Sequence, residues 1–358
     1  MKKKKKIYLI SSGTGGHAAP ILLLYKELSK LPGIEVLILH SGSDIEQKLF
    51  VNTKSRKIIS AKFNRNSFIK KLASYPLVIL GMIQAKILLI FNRPDLIVSK
   101  GGYGSVPILF LAKILKIPYF IHESDSHMGL ANKIFAKKAD KVFLGFPKEL
   151  YDGEANDKKY IYVGQLVSEL PKINKEDQKV IYITGGSQGA ESINETVYKV
   201  LDDLVDKYKV FHQVGDKNIK VAENAKKDLS QGAVNYKPFG FSYDLAREAM
   251  AKADLVITRA GANTIGEIAK NKKASILIPY PYAANNHQMK NAKYLEKNGS
   301  AILVPEKQLN EKYLLERIEY LLKGNNADVL GGKINLAIKS NGLESIVSEI
   351  IKRTEGQL

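Results

Sequence analysis

Residues 257–288 read ITRAGANTIGEIAKNKKASILIPYPYAANNHQ, and the punctuation of this stretch decides the fold. An apolar run, Leu255–Ile257, stops at Thr258-Arg259-Ala260-Gly261-Ala262-Asn263-Thr264, and an amphipathic segment carrying Glu267 follows. The pattern is strand, tight turn, helix. A second apolar run, Ala274–Pro279, leads through a loop of Pro, Tyr and Asn to His287 and Gln288 at the head of another helix, 288–298. Two helix N-termini then face the carboxyl edge of a parallel sheet, where α/β proteins take their ligands and unpaired N–H groups attract anionic oxygens. A carboxylate at Glu267 repels phosphate but accepts hydrogen bonds from hydroxyls, so a ribose diol is its natural partner. Alone, Glu267 reads as a solvated helix residue; its place between Gly261-Ala262 and Asn285–Gln288 makes it a ligand candidate, and the combination suggests a sugar nucleotide.

Working outward, the same opening recurs. Upstream, Val180–Thr184 is a strand followed by Gly185-Gly186-Ser187-Gln188-Gly189-Ala190 and a helix to about residue 204, with Ser187 adding a hydroxyl where anions bind. Val210–Gln213 and Val234–Phe239 read as further strands. At the other end of the chain, Ile7–Ser11 runs into Gly13-Thr14-Gly15-Gly16-His17 and a helix over 20–30. Strands at 35–40, 95–99, 118–122 and 141–144 alternate with helices, 141–144 being the last strand of that half. Alternation at this spacing implies βαβ units and parallel sheets. The polar stretches 151–159 and 168–178 mark a boundary, so two nucleotide-binding folds stand in tandem.

Composition sets limits. With 358 residues the chain can build two cores, and 55 basic against 36 acidic residues give a net charge of +19. Such a balance favours anionic partners, although a lysine-rich proteome produces the same excess. Cysteine is absent, which excludes disulfides, thiolate metal sites and a Cys nucleophile. Lys2–Lys6 leads into a short strand rather than a secretory apolar region, so the chain is expected in the cytoplasm. The longest apolar stretch, Tyr75–Phe91, is interrupted by Gln84 and Lys86 and falls short of the ~20 residues that span a bilayer. With Lys70, Lys71 and Arg93 beside it, it reads either as a buried helix or as one lying on an anionic membrane surface.

Among single residues, His17 at a glycine turn has a ring suited to general-base work at neutral pH. The turn lacks the Lys-Ser/Thr of a Walker A loop, and the strand at 35–40 ends in His40-Ser41-Gly42 without the acidic residue that a nicotinamide dinucleotide's ribose requires. Glu123, Asp125 and His127 alternate in one loop, too little for a metal site without further ligands.

These residues together resemble the MurG family, the UDP-N-acetylglucosamine:N-acetylmuramyl-(pentapeptide) pyrophosphoryl-undecaprenol N-acetylglucosaminyltransferases of peptidoglycan synthesis. The likeness runs through SGTGGHAAP at 12–20, SKGGYGSVP at 99–107, HESDSHMGLANKIFAKKADKVFLGFP at 122–147, ITGGSQGAESIN at 183–194, ITRAGANTIGEIAK, and NNHQMKNAKYLEKNGSA at 285–301. The resemblance implies a GT-B fold, two Rossmann-like α/β domains whose parallel sheets face an interdomain cleft. It divides the chain into an acceptor and membrane-binding domain at 1–164, a UDP-sugar domain at 165–339, and a final helix at 340–358 packing back on the first. It implies a metal-independent inverting transfer with no cofactor. The expected partners are UDP-N-acetylglucosamine, the undecaprenyl-linked acceptor lipid I and the anionic inner-leaflet surface, with no nucleic acid; the expected location is the cytoplasmic face of the membrane, peripherally.

Carried over position by position, His17 is the base for the muramyl 4-hydroxyl, and Thr14, Gly15 and Gly16 face donor sugar and acceptor. Ser187 lies in the diphosphate turn, backbone near Ser242-Tyr243 holds the uracil, the loop Ala262-Asn263-Thr264-Ile265-Gly266-Glu267 holds phosphate and ribose, and Gln288 holds sugar hydroxyls. Two departures stand out. His122-Glu123-Ser124-Asp125 replaces the usual HEQN, putting a carboxylate at Asp125 for an amide. Gly164-Gln165-Leu166-Val167-Ser168 replaces GNPVR and loses an Arg whose fork suits a diphosphate. Two other classes compete: a UDP-sugar-dependent diacylglycerol glycosyltransferase, and a UDP-sugar-binding protein that does not turn over. A nucleic-acid role resting on charge alone lacks any module or aromatic-basic interleaving.

Overall fold

The computed structural model describes residues 4–13, 15–60, 68–151, 153, 155–171, 173 and 177–356, with backbone alone for 68–75. The chain divides into two units, one comprising Met1–Val167 with Asn341–Leu358, the other Ser168–Ser340.

The first unit alternates β1 (Lys5–Ile10), α1 (Gly15–Leu28), β2 (Ile34–His40), α2 (Asp44–Phe50), β3 (Ser55–Lys57), α3 (Phe68–Phe91), β4 (Leu96–Ser99), α4 (Val106–Ile114), β5 (Tyr119–Glu123), α5 (Leu130–Ala136), β6 (Lys141–Leu144) and β7 (Tyr160–Tyr162). Its described strands pair in parallel in the order β3-β2-β1-β4-β5-β6-β7. Parallel strands covered on both faces need apolar residues throughout, and β4, LIVS, is buried at every position. The expectation that 141–144 ends this sheet is corrected, because Val142, Phe143 and Leu144 pair with Tyr160, Ile161 and Tyr162. A three-residue strand between polar stretches carries too little pattern to be read in advance.

Helix α1 also differs from the reading that began it near residue 20. It starts at Gly15 and holds Pro20 inside. Proline removes one N–H bond, but it falls early enough that only the first turn is affected. The glycines before His17 thus form the helix's own first turn.

The second unit contains β8 (Val180–Thr184), α6 (Glu191–Lys199), α7 (Leu201–Lys207), β9 (Lys209–Gln213), α8 (Ile219–Lys227), β10 (Tyr236–Phe239), α9 (Tyr243–Lys252), β11 (Leu255–Thr258), α10 (Ala262–Lys270), β12 (Ala274–Leu277), α11 (His287–Lys297), β13 (Ile302–Leu303), α12 (Glu311–Leu322) and α13 (Asn326–Ala337). The strands are again parallel, ordered β10-β9-β8-β11-β12-β13. Ile181, Ile183, Val210, Leu255, Ile257 and Ile276 meet Ile193, Val197, Leu201 and Leu204 in one core.

The last helix, α14 (Gly342–Thr354), belongs to the first unit. Its apolar face sets Leu343, Ile346 and Ile350 among Ile21, Leu24 and Leu28 of α1. Lys141 pairs with Glu349, and Arg353 Nη2 lies 3.5 Å from Asp140 Oδ2. Burying three branched apolar side chains at about 1.5–3 kcal/mol each outweighs what those partly exposed ion pairs supply.

Strand order reverses between β1 and β4 in one sheet and between β8 and β11 in the other. A crevice opens at such a reversal, beyond the carboxyl ends of the two strands. The glycine turns of the sequence lie there: Gly13 with Gly15 and Gly16, and 101–104, in the first unit, 185–189 and 259–262 in the second.

Candidate active site

In the first unit the turn after β1 is fixed from beneath by Glu46. Its Oε1 accepts from Ser11 Oγ at 2.8 Å and Gly13 N at 3.0 Å; its Oε2 accepts from Ser41 Oγ at 2.7 Å, Gly42 N at 2.9 Å and Ser43 N at 3.0 Å. Glu46 is completely buried. Burial pushes its carboxyl upward, but the bonds from Ser41, Gly13, Ser11 and Ser43 outweigh it and hold the group below the usual range. Ser43 and Glu46 form a capping box on α2, a spacing visible in the sequence as S-x-x-E.

His17 is the third residue of α1, and its Nδ1 lies 2.9 Å from the Ser12 carbonyl. Protein atoms surround the ring although part of its surface stays open; burial first, then the nearby Lys100, lowers its pKa. The turn after β4 closes against it. Gly101 and Gly102 have φ of +83° and +80°, and a Cβ on Gly102 would fall 2.6 Å from Ser12 Cβ and 3.5 Å from His17 Cε1. Gly104 N donates to Ser12 Oγ at 2.8 Å.

The third component follows β5. Glu123 turns inward and accepts from Asp125 N at 3.0 Å, Gly129 N at 2.8 Å and Asn132 Nδ2 at 2.9 Å. Tyr151 OH donates to the Asp125 carbonyl at 2.8 Å, and Gln165 Nε2 to the Ser124 carbonyl at 2.7 Å. Gln165, one of the departures in the sequence, thus fastens the loop that carries the other. Lys100, 3% exposed, reaches His122 Nδ1 at 2.7 Å and also bonds Ser124 Oγ. Of the residues expected here, Gly15, Gly16, His17 and Asp125 lie at this edge, and Thr14 lies outside the described residues.

In the second unit Ser187 sits in the turn after β8, where Gly189 has φ +77° and a Cβ would come 1.9 Å from the Val214 carbonyl oxygen. Gly186 N donates to Thr184 Oγ1 at 2.9 Å, shaping the turn. Helices α6, α10 and α11 begin at Ala190, Gly261 and Asn286 without side-chain caps, leaving backbone donors for a ligand. Asn285 and Asn286 take left-handed φ of 52° and 55°, a conformation Asn tolerates better than most residues.

The helix expected to carry Glu267 begins earlier than the turn through Thr264 implied: Ala262 to Glu267, the stretch assigned to phosphate and ribose, forms the first turns of α10 and is not a loop. Ile265 N is already bonded to the Gly261 carbonyl at 3.0 Å, and its side chain is fully buried, so Ile265 offers a ligand nothing; Gly266 is likewise buried. Ala262, Asn263 and Thr264 are the positions whose N–H groups open the helix. Glu267 is partly buried, and burial pushes its carboxyl up to about 7 against the pull of Arg247. Arg247, missed in the sequence, lies over the Tyr243 ring at 5.6 Å and bonds Ser168 Oγ and the Glu169 carbonyl. A guanidinium therefore does stand at Ser168, supplied by α9. Gln288 Oε1 accepts from Tyr280 N at 2.9 Å, so its amide nitrogen is the end that can donate to a ligand.

Residues 7–144 match the glycosyltransferase family 28 N-terminal domain and residues 180–346 the family 28 C-terminal domain. A Clostridium perfringens (strain SM101 / Type A) protein named UDP-N-acetylglucosamine--N-acetylmuramyl-(pentapeptide) pyrophosphoryl-undecaprenol N-acetylglucosamine transferase is 34% identical over 98% of this chain and 99% of its own length. This chain belongs to the MurG family. A Clostridium botulinum (strain Hall) protein of the same name is 32% identical over 98% of the chain and 99% of its own length. The crystal structure of Acinetobacter baumannii MurG superposes with a TM-score of 0.75 at 27% identity, covering 97% of this chain and 99% of that one. CalG4, the calicheamicin glycosyltransferase, shares the fold, with a TM-score of 0.71 at 13% identity over 99% of this chain and 98% of that one. The chain is thus a family 28 glycosyltransferase of GT-B fold, and in this MurG-family sequence the two crevices are the places to seek its chemistry.

Proposed function

We propose that this chain transfers N-acetylglucosamine from UDP-N-acetylglucosamine to the muramyl 4-hydroxyl of undecaprenyl-linked lipid I, with inversion, giving lipid II. The observation that carries this reading is likeness over nearly the whole length to the Clostridium perfringens transferase, 34% identical across 98% of this chain and 99% of that one.

The site residues support a division of labour. His17 takes the proton from the acceptor hydroxyl as the glycosidic bond forms, and the UDP oxygen leaves from the opposite face of the sugar. N-terminal N–H groups of α6 and α10, with Ser187, meet the diphosphate as its charge grows. The Glu267 carboxylate accepts from the ribose hydroxyls, backbone beside Tyr243 frames the uracil, and Gln288 donates to hydroxyls of the sugar. Asp125 stands where an amide would donate, and there it accepts from a sugar hydroxyl instead.

A surface of the first unit supports docking on an anionic membrane as a peripheral protein. Ile79, Leu80, Ile83, Ile87 and Ile90 of α3 and Phe110 and Ile114 of α4 are each between 45% and 60% exposed. Exposed Lys86, Lys113 and Lys116 border them, and no described helix is long and apolar enough to cross a membrane. Apolar area on this scale with a basic margin fits a leaflet where the acceptor is anchored.

The test is release of UDP from UDP-N-acetylglucosamine by the purified chain, with a short-chain lipid I analogue or with diacylglycerol as acceptor. Release that depends on the lipid I analogue supports the reading. Turnover with diacylglycerol alone would replace it with the glycolipid reading.

A further inference from the structure

We propose that Arg247 is a positioning residue for the donor nucleotide: its guanidinium fastens Ser168 and Glu169, the first two residues of the second unit, to the turn of α9 whose backbone frames the uracil. The inference rests on the reading of Ser242 and Tyr243 as that frame.

The frame lies beyond the carboxyl end of β10, where the strand stops at Phe239 and α9 starts at Tyr243. Asp216, in the turn after the neighbouring β9, pins it from one side. Its Oδ1 accepts from Phe241 N at 2.7 Å, and a Cβ on Gly240 would fall 2.4 Å from the same oxygen. Ser242 caps α9 by accepting from Leu245 N at 3.3 Å. Arg247 holds the other side. It stands four residues after Tyr243 and so shares that residue's face of the helix. Its guanidinium lies over the Tyr243 ring, 5.6 Å from the centroid, within cation–π reach.

What Arg247 reaches is remote in sequence. Nη1 donates to Ser168 Oγ and Nη2 to the Glu169 carbonyl, 79 and 78 positions away. One planar group thus serves three partners, with two edges on the entering chain and a face on the ring. Because Glu169 contributes its main-chain carbonyl, the brace fixes the path of the backbone as well as a rotamer. A lysine, a point charge on a flexible stem, cannot hold two acceptors and a ring in one fixed geometry. Hydrogen bonds from an ionised donor are also about twice as strong as neutral ones. Ser168 is the position at which the sequence lacks an Arg, and here it is the acceptor: the guanidinium at this point stands on α9. Releasing the brace lets the backbone of residues 242 and 243 shift. That loosens the nucleotide in ground state and transition state alike, which raises KM and leaves kcat in place.

Three variants of the full chain test this: Arg247→Met, Arg247→Lys, and the exchange Ser168→Arg with Arg247→Ser, which returns a guanidinium from the opposite side. Binding of UDP is measured by calorimetry and binding of uridine by NMR titration, with melting temperatures and the kinetics of UDP release alongside. Arg247→Met and Arg247→Lys are expected to weaken UDP and uridine by the same factor, about tenfold, the scale of one or two charge-assisted bonds. KM for UDP-N-acetylglucosamine rises to match, kcat stays within about twofold, and the exchange recovers most of the affinity. Should Arg247→Met fail to fold, Arg247→Lys and the exchange carry the comparison. Weakened UDP with unchanged uridine would make Arg247 a direct diphosphate contact and overturn the positioning role. A lysine as good as the arginine, or a fall in kcat with KM unmoved, would overturn it too. Both binding measurements need no acceptor, so a chain that binds uridine but releases no UDP would fail the transferase reading alone. A wild-type chain that binds no uridine would remove the uracil frame and this inference with it.

Discussion

The Nδ1 atom of His17 lies 2.9 Å from the carbonyl oxygen of Ser12. That oxygen can only accept, so the neutral ring holds its proton on Nδ1 and Nε2 is the basic atom. A helix that began at Pro20 would not have fixed the ring in this way; the first turn from Gly15 sets both the direction of His17 and its tautomer. With the pKa lowered by burial and Lys100, the ring is neutral at physiological pH. His17→Ala should lower turnover by about 10²–10⁴-fold, the usual contribution of a positioned base, with donor binding unchanged. Rates near wild type in single-turnover assays would remove His17 from the mechanism.

Burial pushes the Glu267 carboxyl up to about 7 in the ligand-free protein, although part of the residue stays open to solvent. Ribose hydroxyls donate best to a carboxylate, so the affinity for UDP-N-acetylglucosamine should fall as pH drops from 8 to 6. A calorimetric titration across that range reads it directly, and Glu267→Ala should abolish the pH dependence as well as weaken binding. The group's linkage to folding has the opposite sense. A carboxyl whose folded pKa is raised favours the fold when protonated, a contribution present below about 4.5 and lost as pH rises through about 7. Glu267→Gln should therefore melt higher than the wild type above pH 7 in the absence of ligand, and binding of the donor should be the function that suffers.

Glu46 has the reverse dependence. Its carboxyl is held low in the folded state, so its contribution is present above the ordinary carboxylate range and disappears as acid protonates it. Glu46→Ala leaves the donors of Ser11, Gly13, Ser41, Gly42 and Ser43 without their acceptor. Urea unfolding should show a loss of about 3 kcal/mol or more, the range for a buried charged partner removed. A loss below about 1 kcal/mol would mean that water replaces the carboxylate easily.

Gly189 tests the shape of the turn bearing Ser187. With φ at +77° and a prospective Cβ 1.9 Å from the Val214 carbonyl oxygen, Gly189→Ala combines backbone strain with a clash against main chain. A destabilisation of about 2–4 kcal/mol is expected, together with weaker donor binding. Unchanged melting and affinity would show that the turn is not held as described.

The apolar face of α3 offers a separate test. Ile83 and Ile87 are 51% and 54% exposed, so replacing both with Glu should leave the fold intact and cut binding to anionic vesicles at least tenfold by sedimentation. Undiminished binding would assign the membrane contact to another surface.

Much of this architecture was legible in the residues, and for identifiable reasons. Buried parallel strands such as Val180–Thr184 and Leu255–Thr258 are continuous apolar runs closed by glycine, so their number and the restart at 180 could be read without coordinates. Tyr160–Tyr162 could not, because a three-residue edge strand carries no period. The helix carrying Glu267 follows from the same pattern, but it begins at Ala262 rather than after Thr264, a start that the polar Asn263 and Thr264 obscure. The three residues that sequence reasoning missed are connected through space. Arg247 meets Ser168 across 79 positions, Lys100 meets His122 across 22, and Glu46 meets Ser11 across 35. Only the capping-box spacing of Ser43 and Glu46 gave a local signal.

The most direct test of the account is acceptor-dependent release of UDP from UDP-N-acetylglucosamine by the purified chain, followed with a short-chain lipid I analogue. Release that requires the analogue, that yields the β-linked disaccharide expected from inversion, and that collapses in His17→Ala is the predicted result. Donor binding without release in the presence of the analogue would contradict it.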